Sequence, residues 1–385
     1  MGSKYQVLVV MFLCLIFFVA KSFATSTPEQ SWKWSGDLRY RVAKSKEDID
    51  EERNFQQLRA RLGFKVEVQN DLSAKLRLAT GSSAISTNQT LGDSKEPGMA
   101  RRNFGIDLAY GDWEFIPHNH LWLGRTENPF WAPGKNQMVF DSDLSFEGLA
   151  FKHETSWDAQ KLQLNLGSSV ISENFDSTSR QDVVDSGVWG AQINFESKLP
   201  VGSVKMHYSQ YEYVNIQDKN ITSFDSGAKT DVYSTPYDRY RGNSVYRPDP
   251  AVANYFFSNK YRITSQGLEW KFSDQDAEVV VFYDQSMNQL VDSQNIAKEF
   301  GITLRSGRVT AAWVESVKES DSVVGAFSDS DMSGGGTDTK GQKLSVAYQL
   351  SKDSNLALTT FRARRGVNSV ERDFVASQFD LAIVF

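Results

Sequence analysis

Apolar and polar residues alternate along segment after segment of this chain. In the last seven residues Phe379, Leu381, Ile383 and Phe385 fall on one face, and the chain stops on an aromatic ring. A period of two places successive side chains on opposite faces of a β-strand. The same pattern occupies 32–42, where Trp32, Trp34, Leu38, Tyr40 and Val42 alternate with Lys33, Asp37, Arg39 and Arg41. Leu58, Ala60, Leu62, Phe64, Val66 and Val68 alternate with Gln57, Arg59, Arg61, Gly63, Lys65 and Glu67, and Leu72, Ala74, Leu76 and Leu78 with Lys75 and Arg77. One apolar and one charged face suits a sheet with lipid on one side and water on the other. In lipid such a sheet must close on itself, because an open edge leaves backbone N–H and C=O groups without partners.

Similar segments follow at 162–170, 189–195, 204–208, 268–272, 279–283, 300–304, 309–313 and 344–350, and the spacing predicts about sixteen strands. Connections rich in turn formers at 69–71, 199–202, 273–276, 306–307 and 351–355 are short. Between them lie long polar stretches at 43–52, 81–100, 126–139, 172–185, 215–254, 285–297 and 318–341. Short and long connections alternate, so all the long ones fall on one side of the sheet. The expected fold is all-β: a transmembrane, antiparallel, up-and-down β-barrel forming one domain over 25–385, with both termini at the short-turn end. Trp113, Phe115, Trp157, Trp270, Phe272 and Phe385 fall beside that end, where amphipathic rings suit the headgroup level.

The first 24 residues carry Lys4, an apolar run over 5–20, and Ser22-Phe23-Ala24 with small residues where a signal peptidase reads. They read as a cleaved secretory signal peptide. The single cysteine, Cys14, would leave with it, so no disulfide is expected in the mature chain. Acidic side chains outnumber basic ones 48 to 42, giving a net charge of −6 and arguing against a nucleic-acid partner.

The polar faces of the early strands are basic. Arg39, Arg41, Arg59, Arg61, Arg77 and Arg125 form a candidate ladder on the lumen wall, with Arg53, Arg101 and Arg102 close by in sequence. Arginine stays charged and presents a rigid fork of donors, so a ladder orients water and attracts anions. The stretch 124–134 holds two prolines and two aromatics, a composition suited to a stiff loop folded into the lumen. Glu127, Asp141, Asp143 and Glu147 are the candidate acids opposing the arginines across a constriction. The loops 44–52 and 318–340 each carry five acidic residues, expected to take divalent cations that bridge to lipopolysaccharide. No metal site, cofactor or enzyme motif emerges. His118 and His120 lack a third ligand, and no histidine sits in a nucleophile context.

Ser86-Thr87-Asn88-Gln89-Thr90-Leu91, Ile106-Asp107-Leu108-Ala109-Tyr110, Gly124-Arg125 with Asn128-Pro129-Phe130, and the stretch 141–148 resemble successive motifs of the Putative porin family of bacterial outer membranes. The resemblance covers essentially the whole mature chain and is most specific between Arg53 and Leu149. It implies a porin-type barrel of sixteen strands, with a homotrimer among the expectations. The implied function is a passive channel for small hydrophilic solutes or ions, in contact with outer-membrane lipid and lipopolysaccharide, with no catalysed reaction. The alternatives are a substrate-selective channel or a surface receptor or adhesin whose loops close the lumen. Tyr233, Tyr237, Tyr240 and Tyr246 in the longest loop carry the receptor alternative.

Overall fold

The computed structural model describes residues 31–48, 51–81, 86–92, 98–99, 101–173, 184–220, 241–248, 255–368 and 370–385. The expected signal peptide over 1–24 lies outside the described residues, as do Tyr233, Tyr237 and Tyr240. Sixteen long strands follow one another: β1 Trp32–Glu47, β2 Arg53–Gln69, β3 Leu72–Thr80, β4 Phe104–Ile116, β5 Asn119–Glu127, β6 Ser145–Trp157, β7 Gln160–Ser172 and β8 Ser186–Leu199. The second half comprises β9 Gly202–Val214, β10 Tyr261–Ser273, β11 Ala277–Asn288, β12 Ile296–Ser306, β13 Val309–Lys318, β14 Thr339–Ser351, β15 Ser354–Arg365 and β16 Arg372–Val384.

Each strand pairs antiparallel with its neighbour in sequence, and β1 pairs with β16 from Asp37 opposite Val384 to Glu47 opposite Phe374. The sheet is therefore a closed, up-and-down antiparallel barrel. The alternation supplies both surfaces. Trp34, Val42, Leu344, Leu358 and Phe379 stand exposed on the outer face, while Arg41, Ala43, Phe361 and Gln378 are buried within. Trp113 and Phe115 pack at 5.7 Å, and Trp270 and Phe272 at 4.1 Å, beside the short turns.

Short turns at 70–71, 117–118, 158–159, 200–201, 274–276, 307–308 and 352–353 lie at one end, and every long connection lies at the other. Several strands outrun the alternating pattern. β1 reaches Glu47, β11 reaches Asn288 and β12 starts at Ile296, so the loops expected at 43–52 and 285–297 are shorter. Above the bilayer both faces meet water, and the two-residue hydrophobic signal fades while the hydrogen-bond ladder continues. In the 81–103 connection, Gln89–Thr90 pairs with β2 at Leu58 and Gln57, beyond the end of β3.

Several carboxylates of the acidic loops are bonded within the protein. Asp321 accepts from Ser244 and Tyr261, Asp338 from Asn368, Glu319 from the Ile296 amide, and Glu47 from Arg365 and Arg372.

Closure depends on a glycine. The Gly36 amide donates to the Phe385 carbonyl at 2.7 Å, and the Phe385 amide donates back at 3.0 Å. The Phe385 ring lies 2.6 Å from where a Gly36 Cβ would sit. Gly36→Val should therefore displace the ring and destabilise the barrel by about 1–3 kcal/mol, lowering the temperature at which the folded band converts to the unfolded band on electrophoresis. Adding Phe385→Ala should relieve part of that loss. An unchanged transition in the single variant, or no relief in the double, would show that this contact does not govern closure.

Candidate functional site

Alternation and register gather the arginines on one wall of the lumen. Arg39 of β1 stands opposite Arg59 of β2, Asp37 opposite Arg61, and Gly63 opposite Arg77 of β3. Asp37 serves two of them, accepting from Arg59 Nε at 2.9 Å and Arg61 Nε at 2.6 Å. Arg41 makes a bidentate pair with Asp380 of β16 at 2.7 and 2.9 Å and donates through its third nitrogen to Asp331 at 3.0 Å. Arg77 Nε donates to Asp107 at 2.5 Å, where a bulge in β4 leaves Asp107 out of the ladder. Arg39 has no carboxylate partner among the described residues and donates to Asn88.

Two loops meet this wall. Asp143 accepts from Ser86 at 3.2 Å and from Asn88 at 3.3 Å, so Asn88 bridges it to Arg39, and its charge also acts on Arg59. Asp331, in the 319–338 connection, reaches Arg41 and Gln378. Charge-assisted bonds of this kind hold guanidinium planes in fixed orientations.

The remaining sequence candidates are placed differently. Glu127 accepts from Lys75 at 3.0 Å and Tyr110 at 2.9 Å, making a second, neighbouring pair. Asp141 is 7% exposed and faces no arginine. It accepts from the amides of Asp143 at 2.8 Å and Ser330 at 3.0 Å, joining the two loops. Arg125 stands opposite Glu147 and bonds to it, two residues beyond the Leu123–Leu149 pair. Arg125 Nε also donates to the Asp107 carbonyl at 2.9 Å, beside the Arg77–Asp107 pair, and Arg125 and Glu147 line a cavity with Asp143, Phe140 and Phe327. Among the described residues no three His, Cys, Asp or Glu side chains gather to hold a metal ion.

The 128–144 loop lies against the opposite inner wall. Trp131 exchanges two backbone hydrogen bonds with the Gln192 amide, both 2.8 Å, the Gly134 amide donates to Glu269 at 2.7 Å, and Asn136 donates to Asp284 at 2.8 Å. Phe130 and Phe140 each pack edge-on against Tyr211 at 5.0 Å. Glycines floor the seat. A Cβ on Gly167 or Gly267 would sit 2.9 or 2.7 Å from the rings of Pro129 or Pro133, and one on Gly190 would sit 2.6 Å from Phe130. The visible sign of this seat is glycine inside strands, where it marks close approach by another segment. Asp37 and Asp380 were visible on inner faces, whereas nothing local marks Asp331 as a partner of Arg41.

The model of the family described as "Putative porin" matches residues 25–301 and 308–385. The chain belongs to this family. It is a porin, a channel-forming barrel of the bacterial outer membrane. Among solved structures, it is similar to OmpF of Salmonella typhi, solved in complex with daunomycin, at 12% identity and a TM-score of 0.52, over 92% of this chain and 97% of that one. It is also similar to OmpT, an outer-membrane protein of Vibrio cholerae, at 10% identity and a TM-score of 0.50, over 94% and 100%. At those identities the likeness speaks to the fold alone. No curated protein matches the chain.

Within this porin, burial pushes the Asp141 carboxyl up to about 6, with the neighbouring Asp143 and Asp329 adding to the shift and the Asp143 amide opposing it. A folded-state value above the unfolded one makes the contribution of Asp141 to stability greatest below about pH 4. That contribution is lost as pH rises through about 6. Asn cannot titrate. The difference in thermal midpoint between wild type and Asp141→Asn should therefore change between pH 4 and pH 7, with wild type losing ground as pH rises. A constant difference across that range would remove ionisation of Asp141 from the account.

Proposed function

We propose that this porin passes small hydrophilic solutes and ions passively through a narrowing between the arginine wall and the two inward loops. Arg39, Arg41, Arg59, Arg61 and Arg77 form the basic side, and Asp143 and Asp331 the opposing acids. The observation that carries the proposal is that these two carboxylates come from separate loops yet converge on the same wall. Fixed charges of both signs along a wetted wall set up a strong local field. A polar solute can exchange hydration for these fixed groups, and an apolar solute cannot. Permeation needs no bond to be made or broken, so the proposal includes no catalysed step.

The seat of the 128–144 loop favours a narrow, somewhat selective channel over a wide one. Phe130, Phe140, Tyr211, Tyr213, Tyr261, Ile263, Val323 and Val324 belong to one buried cluster inside the barrel, so part of the lumen is packed with protein. A barrel whose loops shut it entirely, as in a receptor or adhesin, would show no steady conductance steps in a planar bilayer. Export directed by residues 1–24 and assembly as a homotrimer belong to the same proposal. Steps grouped in threes would support the trimer, and single steps would count against it.

Replacing Arg59 and Arg61 with Ser removes two cations and leaves Asp37 without them. The double variant should move the reversal potential in a salt gradient toward cation selectivity, with a roughly severalfold change in permeability ratio. An unchanged reversal potential would take these arginines out of the constriction.

A further inference from the structure

The barrel wall parts at the loop end between two strands. β6 and β7 are paired from Trp157 opposite Gln160 up to Gly148 opposite Ser169, and no further. Beyond that point each stays paired with its other neighbour, β6 with β5 as far as Ser145 opposite Glu127 and β7 with β8 as far as Ser172 opposite Ser186. The two strands therefore diverge like the arms of a fork. Where their ladder stops, the Glu147 amide donates to the Ser169 hydroxyl at 2.9 Å, and a Cβ on Gly148 would strike the Ser168 carbonyl.

The fork borders a cavity of about 220 Å³. One side of it is apolar. Phe140 of the 128–144 loop meets Phe146 of β6 edge to face at 5.2 Å, Phe327 of the 319–338 connection stacks on Tyr213 of β9 at 6.0 Å, and Val188 of β8 lines the cavity with them. Arg125, Asp143 and Glu147 line the other side. These charges already have partners, since Arg125 and Glu147 pair with each other and Asp143 accepts from Ser86 and Asn88. The polar group without one belongs to the apolar side. Tyr213 is 4% exposed, and its buried hydroxyl makes no hydrogen bond among the described residues. A buried donor left unmet is costly, and a ligand oxygen that accepts from it recovers that cost.

We propose that this cavity binds a small uncharged aromatic compound bearing a hydroxyl or carbonyl oxygen, its ring among Phe140, Phe146, Val188 and Phe327 and its oxygen accepting from the Tyr213 hydroxyl. An apolar cavity of roughly 150 Å³ takes up benzene, so this one has room for a ring with a short substituent. Aromatic walls favour a ring through edge and offset contacts. Charged ligands of either sign fit less well. An anion meets two carboxylates against one guanidinium, and a cation must draw Glu147 from Arg125 or Asp143 from its donors. The bound ring touches both loops that meet the arginine wall, through Phe140 and Phe327. The proposal is independent of which solutes pass the narrowing.

The test is a fluorine NMR titration of the full-length folded barrel in detergent with para-fluorobenzyl alcohol. Wild type should give a saturable, protein-dependent line broadening that excess benzyl alcohol reverses, whereas partition into micelles does not saturate. Val188→Trp, which fills the cavity, should abolish it. Tyr213→Phe should weaken binding of the alcohol about fivefold, the effect of one lost hydrogen bond, and leave binding of para-fluorotoluene unchanged. General loosening of the fold does not produce that split. Benzoate should not compete. Absence of saturable binding to wild type, equal binding by Val188→Trp, equal weakening of alcohol and hydrocarbon in Tyr213→Phe, or competition by benzoate as strong as that of benzyl alcohol would each overturn the assignment. If Val188→Trp gives no folded band on electrophoresis, the Tyr213→Phe comparison decides. Loss of the probe in Arg59→Ser/Arg61→Ser would place it in the narrowing and overturn the assignment too. Loss of conductance with probe binding intact would count against the channel reading alone.

Discussion

The pairing of β1 with β16 is the constraint on which the rest of the molecule depends. A bilayer offers no partner to an exposed strand edge, so all the backbone groups of the membrane band must be bonded within the sheet. The register from Asp37–Val384 to Glu47–Phe374 closes the ladder. It also brings Arg41 opposite Asp380, joining residues 339 positions apart in the sequence. Backbone closure and one of the strongest ion pairs of the lumen thus share a register. A slip of one residue would expose arginines to lipid and bury leucines against water.

Closing so many strands creates a second problem. A barrel of this size is too wide for strand side chains to fill, so each part of its interior must be either wetted or covered. The two walls answer differently. The arginine wall pairs its charges and stays polar. The facing wall presents glycines and buried aromatics, and the 128–144 loop covers it through Phe130, Phe140 and the Gln192 clamp. Asp141 then ties that loop to the 319–338 connection, whose Phe327 carbonyl accepts from the Asp141 amide at 2.7 Å. The narrow side is therefore built by packing the other side.

Much of this was legible in the sequence, because closure in lipid imposes a period of two on every strand and alternates short turns with long loops. The lumen positions of Arg39, Arg41, Arg59, Arg61 and Arg77 follow from counting by two. Such counting fails where the ladder shifts. The β4 bulge frees Asp107 to meet Arg77, and beside it Gly124 has a φ of 126°, just before Arg125 pairs with Glu147. Loop acids were less legible still. Asp141 and Asp143 are two residues apart, yet one is buried between loops and the other faces the arginines, a difference set by Phe327 and Ser330, which lie far off in sequence. Asp331 has no local mark at all, since only the folded loop brings it to Arg41.

The five wall arginines stand among five carboxylates, Asp37, Asp107, Asp143, Asp331 and Asp380, and Arg39 reaches its acid only through Asn88. The balance is uneven in kind. Asp37, Asp107 and Asp380 belong to strands and are as fixed as the arginines, whereas Asp143 and Asp331 are held only by their loops. If both loops lifted away, the wall would carry two uncompensated positive charges, and an anion would meet a different barrier from the one set by the seated loops. On the proposed constriction, ion preference would then be governed at a distance, by the residues that keep the loops down. The glycine floor at Gly167, Gly190 and Gly267, the Gln192 clamp and the Asp141 junction lie away from the arginines, yet they hold the loop on which Asp143 meets Asn88 and, through it, Arg39.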